Sequence, residues 1–544
     1  VKSLNSFKNF LWLAWKHLGL PEPTPVQYDI ADYLQGGPRR LVIEAFRGVG
    51  KSYITSAFAC HQLLLNPEQK ILVVSASKIR ADDFSTFTQR LIADMPVLRH
   101  LNPREGQRQS KISFDVAPAT PSHSPSVKSV GITGQLAGSR ADLIIADDIE
   151  IPNNSATQVM RDKLSESVKE FDAILKPNGR VVYLGTPQCE MSLYEEMPNR
   201  GYECRIWTAR FPSEQLRDRL GERLAPVMRT GAAGDPTDPK RFNNDDLVER
   251  ELSYGRSGFS LQFMLDTSLS DITKYPLKLS DLIVMNCEEQ TAPERVVKSR
   301  EEAVDIPNLG LRGDKLWLGD KIGDHIPYTG CVMAIDPSGR GKDETSYVVI
   351  KMLNGFLWVV DFGGIKEGGY DDAVLEKLVF TAKKHKANEI IIEANFGDGM
   401  FSKLLTPFIN KHYPCTLTEV KHSIQKEKRI IDTLEPVMNQ HKLVIDADAL
   451  RNDWESVGGY PPESAPQYTL MYQLTRMNKD RGAVRHDDRV DVLAIGVNYW
   501  VEQMAADAIE EMTYRRTELL DIELEKFVNG VNMVDRKGPK HHIW

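Results

Sequence analysis

From Leu41 to about Phe211 short apolar runs alternate with amphipathic stretches. The runs Leu41-Val42-Ile43, Lys70–Ser75, Leu143–Asp147 and Arg180–Gly185 each close on small or polar residues, and helical spacing fills 51–65, 79–94 and 157–175 between them. Such alternation predicts an α/β fold with a parallel sheet covered on both faces and ligands at the carboxyl ends of its strands. Residues 213–330 carry a weaker pattern: Thr230–Pro236 reads as a loop and Ser260–Leu265 as a subdomain or linker helix, with no sharp boundary. A different rhythm starts at Cys331–Asp336. After a turn at Gly339-Arg340-Gly341 come Tyr347–Ile350, the dipeptide Asn354-Gly355 and Phe356–Asp361. Asn-Gly between apolar runs signals a hairpin. With a helix over 371–386 and a buried strand at Glu389–Glu393, the order is strand-strand-strand-helix-strand, which predicts a mixed sheet. From about Glu502 the chain is charged and helix-prone, and Gly538–Trp544 reads as a flexible tail.

Composition narrows the class. With 544 residues, 41% hydrophobic and 26% charged, the chain can bury substantial cores, and its length suggests roughly three to four domain-sized units, two large ones fitting as well. No run approaches the ~18 apolar residues of a membrane span, Phe10–Trp15 being short and set between lysines, and no signal-peptide pattern stands at the amino end. Six cysteines without a Cys-x-x-Cys pair point to neither a zinc site nor a disulfide framework and fit a reducing cytosol. The net charge of −8 argues against wholesale adhesion to nucleic acid, yet a local basic surface still suffices to hold DNA.

Chemistry first enters at Ala45-Phe46-Arg47-Gly48-Val49-Gly50-Lys51-Ser52, between a strand and a helix. Gly48 and Gly50 let backbone N–H groups close on a polyphosphate, Lys51 reaches the outer phosphates, and Ser52 holds Mg²⁺. The partner is the acidic strand Leu143–Glu150: Asp147 is assigned to the Mg²⁺, while Asp148 and Glu150 compete to orient or deprotonate the attacking water. Arg47 and Arg140 are both candidates to neutralise the transferring phosphate, Arg140 being equally readable as a surface residue. Thr186, after the next strand, stands where a γ-phosphate sensor belongs, and the Gln27 amide can both donate to and accept from an adenine edge. ATP and Mg²⁺ are the implied cofactors of this half.

A second set of acids lies downstream. Asp336 and Glu393 each end a strand, and in His486-Asp487-Asp488-Arg489-Val490-Asp491 a helix would put Asp487, Asp488 and Asp491 on one face beside the apolar stripe Val490, Leu493, Ala494 and Val497. Carboxylates gathered in one cleft need cations, and hard oxygen ligands suit two Mg²⁺ or Mn²⁺ ions, as in metal-assisted phosphodiester cleavage. The assignment is Asp336, Glu393, Asp488 and Asp491 as ligands; Asp361 is set aside, and His486 is read as capping the helix.

Taken together, Ala45–Ser52, Gly131–Arg140 running into the acidic strand, Leu184-Gly185-Thr186-Pro187, and the order Asp336, Glu393, His486-Asp487-Asp488-x-x-Asp491 resemble the large subunit of tailed-phage DNA terminase, podovirus type, over about residues 20–500. The chain departs from many relatives in carrying an aspartate, Asp148, directly after Asp147 where they carry glutamate. The resemblance implies an ASCE-type P-loop ATPase domain over 1–265, a linker or subdomain over 266–330, an RNase H-like nuclease domain over 331–505 and a tail over 506–544. It implies ATP-driven pumping of double-stranded DNA into a procapsid and cutting of the concatemer. The implied partners are double-stranded DNA, the portal protein and procapsid, a small terminase subunit and further copies in a ring, commonly a pentamer with a trans arginine. The implied place is the host cytoplasm, transiently at the portal vertex, and neither a membrane nor the mature virion. The alternative is a helicase-nuclease of repair or recombination, which would need a second RecA-like domain that residues 331–500 do not suggest.

Overall fold

The computed structural model describes residues 2–534 apart from 135, 137, 305–309, 312, 339–343, 367–369, 395–398 and 423. The turn Gly339-Arg340-Gly341, parts of the Gly131–Arg140 segment and the closing Gly538–Trp544 fall outside the described residues. The chain forms two compact units: Val1–Pro276 with Asp480–Arg485, and Leu277–Lys479 with His486–Trp544.

The first unit is built on a seven-stranded sheet. Its order is Ser113–Phe114, Val127–Gly131, Ile71–Ser75, Ala141–Asp147, Leu175–Gly185, Arg40–Ala45, Glu203–Trp207, and every pairing is parallel except that of the first strand. The inner strands are apolar almost without interruption because helices cover both faces. Each fully buried aliphatic side chain contributes about 1.5–3 kcal/mol, and Ile43, Val73, Ile145 and Leu184 are fully buried. Register aligns the functional ends: Ser75 pairs with Asp147, Asp147 with Leu184, and Glu44 with Gly185. The predicted helices appear at Lys51–Leu65, Lys78–Asp94 and Gln158–Ile174.

The second unit carries a nine-stranded mixed sheet. Its order is Thr416–Val420, Glu389–Glu393, Gly330–Asp336, Thr345–Leu353, Phe356–Ile365, Leu443–Asp446, Ile283–Met285, Trp317–Pro327, Thr291–Ala303. The predicted hairpin is present, with Asn354 and Gly355 both at positive φ (50° and 76°), the geometry that lets a two-residue turn follow the twist of its strands. Gly330–Asp336 and Glu389–Glu393 run parallel with Ile335 beside Ile392, so Asp336 and Glu393 leave the sheet side by side. Over them lies a helix, Asp488–Val534, whose Val490, Leu493, Ala494 and Val497 are buried as their spacing predicts. It packs tightly: a Cβ on Gly496 would sit 2.8 Å from Ile350, and Trp500 Nε1 donates to the Ile350 carbonyl at 3.3 Å. The same helix continues through the stretch read from sequence as the start of a tail.

Candidate active sites

The phosphate-binding loop joins the strand Arg40–Ala45 to the helix Lys51–Leu65 and floors a cavity of about 690 Å³. Gly48 has φ +93°, and a Cβ there would meet the Phe242 ring at 2.8 Å, so only glycine fits. Lys51 is buried; its Nζ donates to the Ala45 carbonyl and to Thr186 Oγ1, the latter at 3.4 Å. Burial pulls the Lys51 ammonium below its ordinary pKa while Asp148 and Asp147 oppose that shift. Ser52 Oγ donates to Asp147 Oδ2 at 2.8 Å, and Asp147 Oδ1 is a buried oxygen with no hydrogen-bond partner. Burial first, then Asp148, pushes the Asp147 carboxyl up to about 6. An orphaned carboxylate oxygen beside a hydroxyl, facing buried repulsion, is a donor set that fits a divalent cation.

Asp148 follows in left-handed backbone, φ 45°, which holds a non-glycine residue in a sparsely populated region at the cavity wall. Its carboxylate makes no hydrogen bond among the described residues. Glu150 is different. It is 1% exposed, and its two oxygens accept from the backbone N–H groups of Gln188 at 3.2 Å and Leu193 at 2.6 Å. Glu150 therefore anchors the loop after Thr186, and of the two competing acids Asp148 has the freer carboxylate.

Two expected contributors lie elsewhere. Gln27 is buried behind the loop, donating through Nε2 to the Val49 carbonyl at 2.8 Å and accepting from Thr24 N through Oε1, so it buttresses the loop and its amide does not line the cavity. The side chain is spent on a capping box at the start of Pro25–Gly36, a use its Thr-x-x-Gln spacing already encodes. Arg140 is exposed and bonds the Ser139 carbonyl at the start of the strand whose far end is Asp147. At ~3.3 Å per residue that separation is about 20 Å, too far for Arg140 to serve its own chain's site. Arg47, by contrast, lines the cavity, as do Arg80 and Arg241, which no sequence motif marks.

In the second unit Asp336, Glu393 and Asp491 bring carboxylate oxygens within 4.8 Å of one another, the one such metal-holding group among the described residues. Asp488 is not a member, although its charge helps raise Asp336, and Asp487 is engaged by Lys426 Nζ at 2.8 Å. Two cations from the helix Lys426–Asn439 neutralise the group: Lys426 Nζ lies 3.0 Å from Asp491, and Arg429 lies 2.6 Å from Asp491 and 3.3 Å from Glu393. Even so, burial leaves Asp336 well above the ordinary carboxylate range and Asp491 at about 6, both further raised by their acidic neighbours. Two buried acids and a half-buried one, still partly repelled beside two resident cations, form a donor set that suits hard divalent ions.

Comparison with known proteins decides the family. The chain is 48% identical over 520 residues to the terminase large subunit of Enterobacteria phage T3, covering 93% of this chain and 89% of that protein. The chain belongs to the terminase large subunits. The family described as Terminase Bacteriophage T7, Ribonuclease H-like domain, matches residues 335–443. Among solved structures, the HK97 bacteriophage large terminase is 12% identical with a TM-score of 0.42, covering 87% of this chain and 94% of its own. The human cytomegalovirus terminase nuclease domain, soaked with Mn and bound to an inhibitor, is 8% identical with a TM-score of 0.25, covering 32% and 82%.

The terminase is thus an enzyme with ATPase and nuclease activity that drives double-stranded viral DNA into the procapsid and cuts the concatemer. It works inside the host cell during packaging, with DNA, portal and small subunit as its general partners. No helix among the described residues is long and apolar enough to cross a membrane. The helicase-nuclease alternative is not favoured, because the second unit carries the RNase H-like sheet.

What sequence reading missed in this terminase is the scaffolding of its acids. Arg489, one residue after Asp488, is 1% exposed and pairs with Glu344 at 3.0 Å and Asp453 at 2.6 Å, while Gln473 accepts from the backbone N–H of Arg489 and Val490. These bonds fix the first turn of the helix and so the direction in which Asp491 points. His486 lies two residues before the first residue of that helix and stacks at 4.1 Å on Tyr468, which stacks at 3.9 Å on Tyr460. Asp361 pairs with His385 at 2.9 Å, away from the cluster. The one signal for Lys426 and Arg429 is their i, i+3 spacing on a helix, which is too common to single out.

Proposed function

We propose that ATP turnover runs on Lys51, Ser52, Asp147, Asp148 and Thr186, and that DNA cutting runs on Asp336, Glu393 and Asp491. The backbone of Gly48–Ser52 holds the inner phosphates, Lys51 reaches the outer ones, and Thr186 reads the γ-phosphate through its position against Lys51. Asp148 orients the attacking water, a role supported by its uncommitted carboxylate at the cavity wall, while Glu150 keeps the wall in place. Ser52 and Asp147 are the residues that would hold the Mg²⁺ accompanying ATP.

Asp336, Glu393 and Asp491 would hold two Mg²⁺ or Mn²⁺ ions, which when bound supply charge stabilisation for both the attacking and the leaving oxygen of the phosphodiester. Lys426 and Arg429 offset the cluster's charge and give a cationic approach for the DNA backbone. Grip on DNA is through phosphates, as a motor indifferent to sequence requires. Arg140, exposed and remote from its own site, serves a neighbouring copy in a homo-oligomeric ring, a pentamer on the portal. The subunit works in the host cytoplasm, at the portal vertex only during packaging, and is absent from the mature virion.

The observation that carries the cutting half is the meeting of the three carboxylates within 4.8 Å. Calorimetric titration of Mn²⁺ into the full-length chain tests it. Asp336→Asn is expected to abolish or greatly weaken the binding, and Mn²⁺ uptake equal to the parent's would overturn the assignment.

A further inference from the structure

A segment that follows the sheet of the first unit reaches back to the phosphate-binding loop. Phe242 is buried against Gly48 and stacks edge-on to Phe46 with ring centroids 5.6 Å apart. Asp238, 1% exposed, accepts from Thr24 Oγ1 at 2.9 Å and, through its carbonyl, from the N–H groups of Arg241 and Phe242. Arg241 is therefore set on a turn fixed at both ends. Its side chain lines the nucleotide cavity, and an ideal Cβ on Gly50 would lie 3.9 Å from both terminal guanidinium nitrogens. Arg241 makes no ion pair among the described residues. A planar cation held beside backbone donors, with no carboxylate at ion-pair distance among the described residues, has the geometry of a phosphate clamp.

Position says which phosphates. The γ-phosphate end of the cavity is marked by Asp147 and Thr186, at the end of one strand and directly after another, and by the Lys51 ammonium, which reaches from the first residue of its helix to the Ala45 carbonyl and Thr186 Oγ1. Arg80 belongs to that end, since its charge acts on Asp147. Arg241 instead stands over Gly50, the residue preceding the helix whose first N–H groups cradle the inner phosphates.

We infer that Arg241 is an in-cis nucleotide-binding residue of the ATPase site that clamps the inner phosphates and so holds ATP and ADP alike. This rests on the nucleotide reading of the cavity. Because the contact is equal before and after hydrolysis, it lowers KM more than it raises kcat. The test measures ADP affinity with a fluorescent ADP analogue, together with ATP KM and kcat, for the full-length parent, Arg241→Ala, Arg241→Lys and Lys51→Ala. Each variant is first shown to unfold as cooperatively as the parent. Arg241→Ala is expected to weaken ADP binding and raise KM by about tenfold, with a far smaller fall in kcat, and Arg241→Lys to recover part of the loss. Unaltered ADP affinity and KM in Arg241→Ala would overturn the clamp, as would a fall in kcat at constant KM, which would put the guanidinium on the transferring phosphate. If Lys51→Ala also bound and turned over nucleotide like the parent, the reading of the cavity itself would fall, a separate result.

Discussion

The nucleotide site and the acidic cluster meet opposite electrostatic demands. The first must receive an anion, and a single loop, Ala45–Ser52, answers with backbone N–H groups and one lysine. The second must receive cations, and it gathers carboxylates from two strands and a helix that would repel one another without Lys426 and Arg429. An anion site can thus be preformed by backbone geometry alone, whereas a cation site has to carry internal counter-charges and a rigid frame to hold its acids together. In this terminase that frame is the buried ion triad Arg489, Glu344 and Asp453.

The sharpest way to break the contrast is to remove the frame. Arg489→Met leaves two carboxylates buried without their counter-charge and is expected to cost the nuclease unit about 3–5 kcal/mol. Chemical denaturation of the full chain should show the second unit's transition move while the first stays in place, and adding Glu344→Gln with Asp453→Asn should restore part of the loss. If Arg489→Met alone left both transitions unmoved, the triad would not be what holds the acids.

A smaller effect sharpens the other side. Thr186→Val removes the hydroxyl beside Lys51 without altering the loop backbone, and ATP turnover at saturation should fall by about tenfold, roughly 1.4 kcal/mol. Steady-state kinetics read this directly, and an unchanged kcat would remove Thr186 from the γ-phosphate end.

The smallest effect concerns a buried acid under the phosphate loop. Burial, with Glu195 adding to it, raises the Glu44 carboxyl from 4.5 to about 8, and its Oε1 has no hydrogen-bond partner. A raised native-state value means its contribution is fully present below about 4.5 and is lost as pH rises through about 8. The melting temperature of the first unit should therefore decline from about pH 5 to about pH 8, and Glu44→Gln should flatten that decline. A slope identical in both proteins would show that Glu44 titrates normally.

How much of this was written legibly in the chain follows the same division. The strands and helices of the first unit could be read because each inner strand is apolar throughout and each ends on a turn residue. The loop could be read because its glycines and lysine are contiguous. In the second unit Asp336, Glu393 and Asp491 were readable from their places at strand ends and on a helix. Asp488 was not separable from Asp491 by spacing alone, since both face the same side of one helical turn. The ribbon Thr291–Ala303 with Trp317–Pro327 escaped because its exposed faces alternate charges with few apolar positions, which erases the two-residue period. Residue type alone marks Gln27 and Arg140, and only the fold reveals that one is buried behind the loop and the other lies at the far end of its strand from Asp147.

The two sites of this terminase act independently of one another. ATP hydrolysis and DNA cutting should be measured side by side in full-length Lys51→Ala and Asp336→Ala. Lys51→Ala is expected to lose ATP turnover by at least about a hundredfold while retaining cutting, and Asp336→Ala to lose cutting while retaining ATP turnover. Loss of one and the same activity in both variants, with the other untouched, would contradict it.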